Sequence, residues 1–343
     1  MTSGSIEKRK ADHIQINLEK SVQSGLSAGF DDYQLPHEAL PEIRLEDVNL
    51  EQTLFQKAVR TPILISSMTG GTTEALKINQ NLAAAAQERG LPMGVGSQRA
   101  ALENPSLASS FRIRDLAPDI LLFANLGAVQ LNYGMTPNHC QAAVDMIDAD
   151  GLILHLNALQ EAVQPEGETD FSQLAQKISQ VCQVVNVPVI IKEVGWGISS
   201  RTARLLSAAG VAAVDVAGAG GTSWSEVEMH RAETEQGRRI AAAFLDWGIP
   251  TAKSIKIVKE EIPDLIVFAS GGIRSGVDIA KAIALGAVLG GMASPFLRAA
   301  ADSKESVMVL IDRITREIQI SMFASGVRTL DELQNLELLE RRS

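Results

Sequence analysis

Eight times along this 343-residue chain, a short aliphatic run ends in a glycine-rich or polar loop and gives way to a helical pattern. The runs lie near residues 63–66, 93–95, 120–124, 152–156, 189–192, 213–216, 266–269 and 288–290. Runs this short and this continuously apolar are what parallel strands buried on both faces require. Helical periodicity follows at 74–88, 137–148, 171–184, 200–209, 252–260 and 275–285, the last opened by a Ser cap and followed by Gly286. Eight such units in roughly 230 residues fit a (β/α)8 TIM barrel, whose usual size is about 250 residues. The competing topology is a doubly wound open sheet, which would carry a dinucleotide fingerprint in its first turn. Here that turn reads SSMTGG, which is not that fingerprint.

Two segments stand outside the repeat. Residues 1–55 form a polar N-terminal extension with a helical start, and residues 56–343 form the barrel domain. A long insertion after the sixth strand, residues 218–250, has the size of a binding loop or lid. The formal net charge of −10 argues against nucleic acid or an anionic membrane surface as partner, so an anionic substrate has to be held by a local cluster of positive groups. Cys140 and Cys182 sit in helical patterns without metal-ligand spacing. The polar start and the lack of an apolar run of membrane length lead us to expect a cytoplasmic protein.

A barrel gathers its chemistry where the carboxyl ends of the strands meet. The first strand leads into Ser67, Met68 and Thr69, the second into Ser97, Gln98 and Arg99, and the third into Asn125. The fourth runs straight into His155, Asn157, Gln160 and Glu161, with the last two expected on the loop beyond. The fifth ends at Lys192, the sixth leads to Thr222, the seventh to Gly271, Gly272 and Arg274, and the eighth to Ala293 and Ser294. Glycines, a helix start and an arginine after the seventh strand read as a phosphate grip. Lys192, at the end of an apolar strand, reads as a Schiff-base lysine, a salt-bridged lysine, or a fixed charge beside an electron-rich cofactor. With the phosphate grip and Thr69, Ser97 and Asn125, the last reading fits flavin mononucleotide (FMN). Arg9, Lys10, Arg99 and His155 together would make a second anion site, suited to a diphosphate. Glu161 supplies a hard oxygen there, for which Mg2+ is the natural cation.

Taken together, RKADH, SSMTGG, GVGSQR, HLNALQE, KEVGWGIS, VDVAGAGGTSW and ASGGIRSGVDIAKAIALGA resemble the type 2, FMN-dependent isopentenyl-diphosphate isomerases over most of the chain. Ala158 departs from the family pattern, which has Pro there. The resemblance implies an isomerase interconverting isopentenyl and dimethylallyl diphosphate by a 1,3-allylic proton shift. FMN, reduced by NADPH or another donor, would act as an acid–base cofactor, with Mg2+ on the diphosphate. It implies that Arg9, Lys10, Arg99, His155, Asn157 and Gln160 hold substrate and that Glu161 binds the metal. Gln160, Lys192 and His155 would be catalytic. Ser67, Met68, Thr69, Ser97, Asn125, Lys192, Thr222, Gly271, Gly272, Arg274, Ala293 and Ser294 would hold FMN. A homo-oligomer (dimer, tetramer or octamer) is also implied, with the acidic stretch DELQNLELLE read as a helix available for contact. Two rivals stand against this reading: a flavin-dependent 2-hydroxy-acid oxidase or dehydrogenase on the same barrel, and a non-catalytic flavin-binding protein. The oxidase would be expected to carry a His–Arg pair on the late-strand loops, which offer none.

Overall fold

A computed structural model of the chain describes residues 12–340 apart from positions 14 and 18. All eight expected strands are present and close into one parallel barrel in sequence order. They are β1 (Ile63–Ile65), β2 (Met93–Gly94), β3 (Leu122–Gly127), β4 (Gly151–Leu156), β5 (Val189–Glu193), β6 (Ala213–Asp215), β7 (Ile266–Ser270) and β8 (Leu289–Met292). The barrel closes where β8 pairs with β1, Gly290 with Ile63 through Met292 with Ile65. β3 runs further than the apolar run suggests. Its register with β4 extends over five residues, Phe123 opposite Gly151 to Gly127 opposite His155, so Asn125 lies within a strand rather than at its end.

The aliphatic side chains divide between two cores, as barrel geometry demands. Those pointing outward pack against the surrounding helices in one large cluster. Those pointing inward near the amino ends of the strands form a smaller one, with Phe123, Ile153, Ile190 and Phe268. The hairpin Gln52–Leu54/Lys57–Val59 lies across that end, and Phe55 at its turn packs edge-on against Phe268 with ring centroids 6.4 Å apart. The floor of the barrel is thereby stoppered, and only the carboxyl end is left to hold a ligand.

Several elements differ from the sequence expectation. The 218–250 connection is not a plain loop; it folds into helices Trp224–Arg231 and Glu235–Ala242. Gln160 and Glu161 lie on a short helix, Ala158–Val163, not on a loop, because ALQEAV holds good helix formers and Asn157 breaks from the strand at its N-cap. Of DELQNLELLE only the first four residues are helical, within the short helix Leu330–Gln334. Leu339–Glu340 instead pair antiparallel with Tyr33–Gln34. A 21-residue helix, Lys304–Ala324, packs on helices Thr73–Arg89 and Gly276–Ala284. No helix among the described residues is long and apolar enough to cross a membrane.

Candidate active site

One cavity of about 850 Å³ occupies the carboxyl end of the barrel. Of the described residues singled out from sequence, these line it: Ser67, Met68, Thr69, Ser97, Arg99, Asn125, His155, Asn157, Gln160, Glu161, Lys192, Thr222, Gly271, Gly272, Arg274, Ala293 and Ser294. Gln98 does not; it is buried, donating from Nε2 to the Ala143 carbonyl at 2.8 Å and accepting the Asn125 amide on Oε1. Arg9 and Lys10 lie outside the described residues. The N-terminal segment completes the rim. Ser24 and Ser223 donate their backbone amides to Gly221 and Val22, each at 2.8 Å, and this bridge brings His13, Asn17 and Gln23 to the mouth.

The wall formed by β6, β7 and β8 is largely backbone. Gly271 (φ +98°) and Gly272 (φ +72°) adopt left-handed conformations that side-chain-bearing residues resist. A Cβ on Gly221 would come within 2.6 Å of the Gly272 amide, so these two turns meet backbone to backbone. One expectation fails here. The helix start after Arg274 is not free for an anion, because Asp278 accepts the amides of Arg274 (3.0 Å) and Ser275 (3.1 Å), and Glu317 accepts that of Gly276 (2.6 Å). The helix Ser294–Asp302 is the better candidate, since its N-cap Ala293 brings no capping side chain to the first turn. Arg274 itself is exposed and donates to Gln23 Oε1 at 3.0 Å.

Lys192 projects from β5 into the cavity. Its Nζ donates to the Glu193 carbonyl (2.9 Å) and Ser270 Oγ (3.2 Å) and lies 3.4 Å from Asp215 Oδ2. Asp215 is fully buried and accepts from Ser270 Oγ at 2.7 Å. Lys192 is therefore part of a charge pair, with Asp215 rather than Glu193 as its acid. Burial pushes the Glu193 carboxyl up to about 7, although Glu193 Oε2 collects the amides of Val194, Gly195 and Trp196.

The wall beyond β4 is built from charged and amide side chains. Asn157 Nδ2 donates to Glu161 Oε1 (2.8 Å) and Gln160 Oε1 (3.2 Å). Gln160 Nε2 donates to Glu228 Oε1 at 3.0 Å, and His13 Nε2 meets the same oxygen at 3.1 Å. Arg231 reaches Glu228 Oε2 at 2.5 Å. Burial alone would raise the Glu228 carboxyl; the His13 and Gln160 hydrogen bonds and the Arg231 charge outweigh it and hold it down to about 2. Glu228 was not foreseen. It sits in a charged stretch of the insertion, and only the docking of that helix makes it 2 % exposed. His155 Nδ1 lies 3.0 Å from Asn125 Oδ1. Arg99 is already engaged by acids: Nε donates to Glu103, and the two terminal nitrogens grip Glu168 at 2.7 and 3.0 Å.

Two features test which groups the cavity suits. The hydroxyls of Ser66 and Ser67, buried at its β1 side, have no hydrogen-bond partner among the described residues, as a polar ligand in contact with them would require. Buried Asn157 Oδ1 is likewise unpartnered, beside the Glu161 carboxylate. Among the described residues no three His, Cys, Asp or Glu side chains gather to hold a metal. A cation here would thus take one carboxylate, an amide oxygen and otherwise water or ligand oxygens, which is the habit of Mg2+.

Comparison with known proteins agrees with this layout. The family FMN-dependent dehydrogenase matches residues 129–340. A protein of Rickettsia bellii named isopentenyl-diphosphate delta-isomerase is 52% identical over 331 residues, 96% of this chain and 97% of that one. Its namesake from Rickettsia conorii is 50% identical over the same shares. Among solved structures, a mandelate oxidase variant with a monooxide FMN adduct superposes with a TM-score of 0.66 at 16% identity, covering 98% of this chain and 100% of that one. A flavocytochrome b2 variant superposes at 0.68 and 18% identity, covering 96% and 82%. At such identities the structural likeness establishes the fold alone.

Proposed function

The chain belongs to the FMN-dependent dehydrogenase family of enzymes, and from that premise we propose that it is a type 2 isopentenyl-diphosphate isomerase. The observation that carries this reading is the second, charged wall of the cavity. A flavin alone has no use for Arg99, His155, Asn157, Gln160 and Glu161 gathered opposite the glycine turns, whereas a diphosphate substrate does. The names of the relatives at about half identity support the same reading.

In this proposal Ser67, Met68, Thr69, Ser97, Asn125, Lys192, Thr222, Gly271, Gly272, Arg274, Ala293 and Ser294 hold FMN. When bound and reduced, by NADPH or another donor, FMN supplies the acid–base groups needed for a 1,3-proton shift. Lys192, pinned by Ser270 and Asp215, presents a fixed positive charge to an electron-rich ring. Arg99, His155 and Asn157 bind the diphosphate, and Arg9 and Lys10 are assigned to the same task. Glu161 and the unpartnered Asn157 Oδ1 hold Mg2+. Gln160 lies beside the reacting carbons. A neutral amide is a weak base, and Glu228, held far below the usual carboxylate range, remains charged and orients Gln160 rather than taking a proton. Water exclusion falls to the rim of His13, Trp224 and the N-terminal segment.

The rival oxidase reading calls for a histidine base on the late-strand turns. Among the described residues lining the cavity, the histidines are His13 and His155, from the N-terminal segment and β4. Turnover of isopentenyl diphosphate by the FMN-loaded protein with Mg2+ tests the proposal. Product under anaerobic reduction but not in air is expected. Oxygen-dependent oxidation of a 2-hydroxy acid, with no isomerisation, would overturn it.

A further inference from the structure

Arg99 and Glu161 come from different strand ends, yet one short loop touches both. The Glu168 carboxylate grips Arg99 through two parallel hydrogen bonds, 2.7 and 3.0 Å. The amide of the same residue donates to Glu161 Oε2 at 2.8 Å. Gln164, at the other end of the loop, also donates to Glu161 Oε2. Gln130 Nε2, from the segment after β3, steadies Glu168 at 2.5 Å. The loop lies so close to the helix before it that a Cβ on Gly167 would overlap the Glu161 carbonyl oxygen.

This geometry leaves defined groups over. With Nε on Glu103 and one N–H of each terminal nitrogen on Glu168, Arg99 has, among the described residues, one further N–H on each terminal nitrogen for a ligand. With Oε2 taken twice by the loop, Glu161 has Oε1 as its less engaged oxygen; it accepts one hydrogen bond, from Asn157 Nδ2 at 2.8 Å, and keeps a lone pair for a cation. A bidentate carboxylate–guanidinium pair is the stiffest contact available to an arginine. Its partner's backbone is bonded to the other carboxylate, so the two groups are held at a set separation.

We propose that Glu168 is a positioning residue that ties the anion-binding Arg99 to the metal-binding Glu161, so that diphosphate and Mg2+ bind as one unit. This rests on the functional reading above. It makes binding of anion and metal mutually dependent, and such linkage is reciprocal by thermodynamic necessity.

The test is calorimetric binding of inorganic pyrophosphate to the FMN holoenzyme, with and without Mg2+. In the unmodified protein Mg2+ is expected to tighten pyrophosphate. In Glu168→Gln that tightening factor should shrink about tenfold, the value of one charge-assisted hydrogen bond. Gln130→Ala, which withdraws support from Glu168 while leaving Arg99 and Glu161 in place, should shrink it in the same direction by about threefold. It decides the matter if Glu168→Gln does not fold. A merely structural role would lower thermal stability in both variants and leave the factor intact, and that result overturns the proposal while the functional reading stands. Pyrophosphate binding by the unmodified protein that is absent, or indifferent to Mg2+, overturns both.

Discussion

Where β7 and β8 reach the mouth the cavity wall is main chain; where β4 reaches it the wall is a web of buried side chains. On the first side, close approach is arranged by glycines, and the nearby acids are spent on capping the helix Gly276–Ala284. On the second, Asn157, Gln160, Glu161, Glu228 and Arg231 are linked by hydrogen bonds of 3.2 Å or less, with Asn157 Oδ1 left over. Main-chain recognition tolerates little change in backbone but much in surrounding charge. A side-chain web behaves in the opposite way: each member is replaceable in shape, and none in charge, without leaving a neighbour buried and unpaired.

The contrast can be broken by experiment. The largest effect belongs to Gly271→Ala. Its φ of +98° and a Cβ within 2.7 Å of the Gly218 amide and 2.8 Å of Thr251 Oγ1 should cost about 2–5 kcal/mol. The purified variant should carry little FMN; full flavin content would show that the turn is not the grip. Gln160→Ala should retain flavin and lose about 10²-fold in kcat, the usual cost of misplacing a reacting group. Full turnover with reduced flavin would remove Gln160 from the reaction.

Glu228→Gln sharpens the contrast through pH. The folded-state carboxyl, at about 2, lies below its ordinary value of 4.5, so the charged form stabilises the fold. That contribution is complete above about pH 4.5 and disappears as pH falls toward 2. The variant should therefore lose on the order of 2–3 kcal/mol at pH 7, and denaturant midpoints should converge with those of the unmodified protein in acid. A pH-independent difference would mean that packing, not charge, is what Glu228 contributes. Glu161→Gln should raise the Mg2+ concentration for half-maximal turnover about tenfold; an unchanged titration would move the metal elsewhere. The smallest change belongs to Arg274→Ala. The side chain is exposed and donates to exposed Gln23, so its loss should weaken FMN by about threefold or less in an equilibrium titration.

Most of the barrel was legible because burial on both faces leaves its mark on every strand residue. Ile63–Ile65 or Val189–Ile191 can hardly be anything else. The cavity lining was legible for a related reason: in a closed parallel barrel, position along a strand determines which end a side chain faces. What escaped depends on contacts distant in sequence. Glu228 looks like a solvated helix acid until His13 and Arg231 close on it. Asp215 ends an apolar strand as Lys192 does, and only the register pairing Lys192 with Asp215 shows them to be partners. Glu168 carries no local pattern at all. The helix start after Arg274 has the expected Ser275 cap, but sequence could not reveal that Glu317, 41 residues further on, claims one of its amides. At Gln160 and Glu161 the polar residues of HLNALQE suggest a loop and mask the helix propensity of ALQEAV.

The stoppered floor has a consequence for traffic. With Phe55 and its hairpin seated across the amino end of the strands, the described barrel is a cup rather than a tube. Guests sharing a single doorway must queue: whichever sits deeper arrives first and leaves last, and the shallower one holds it in place.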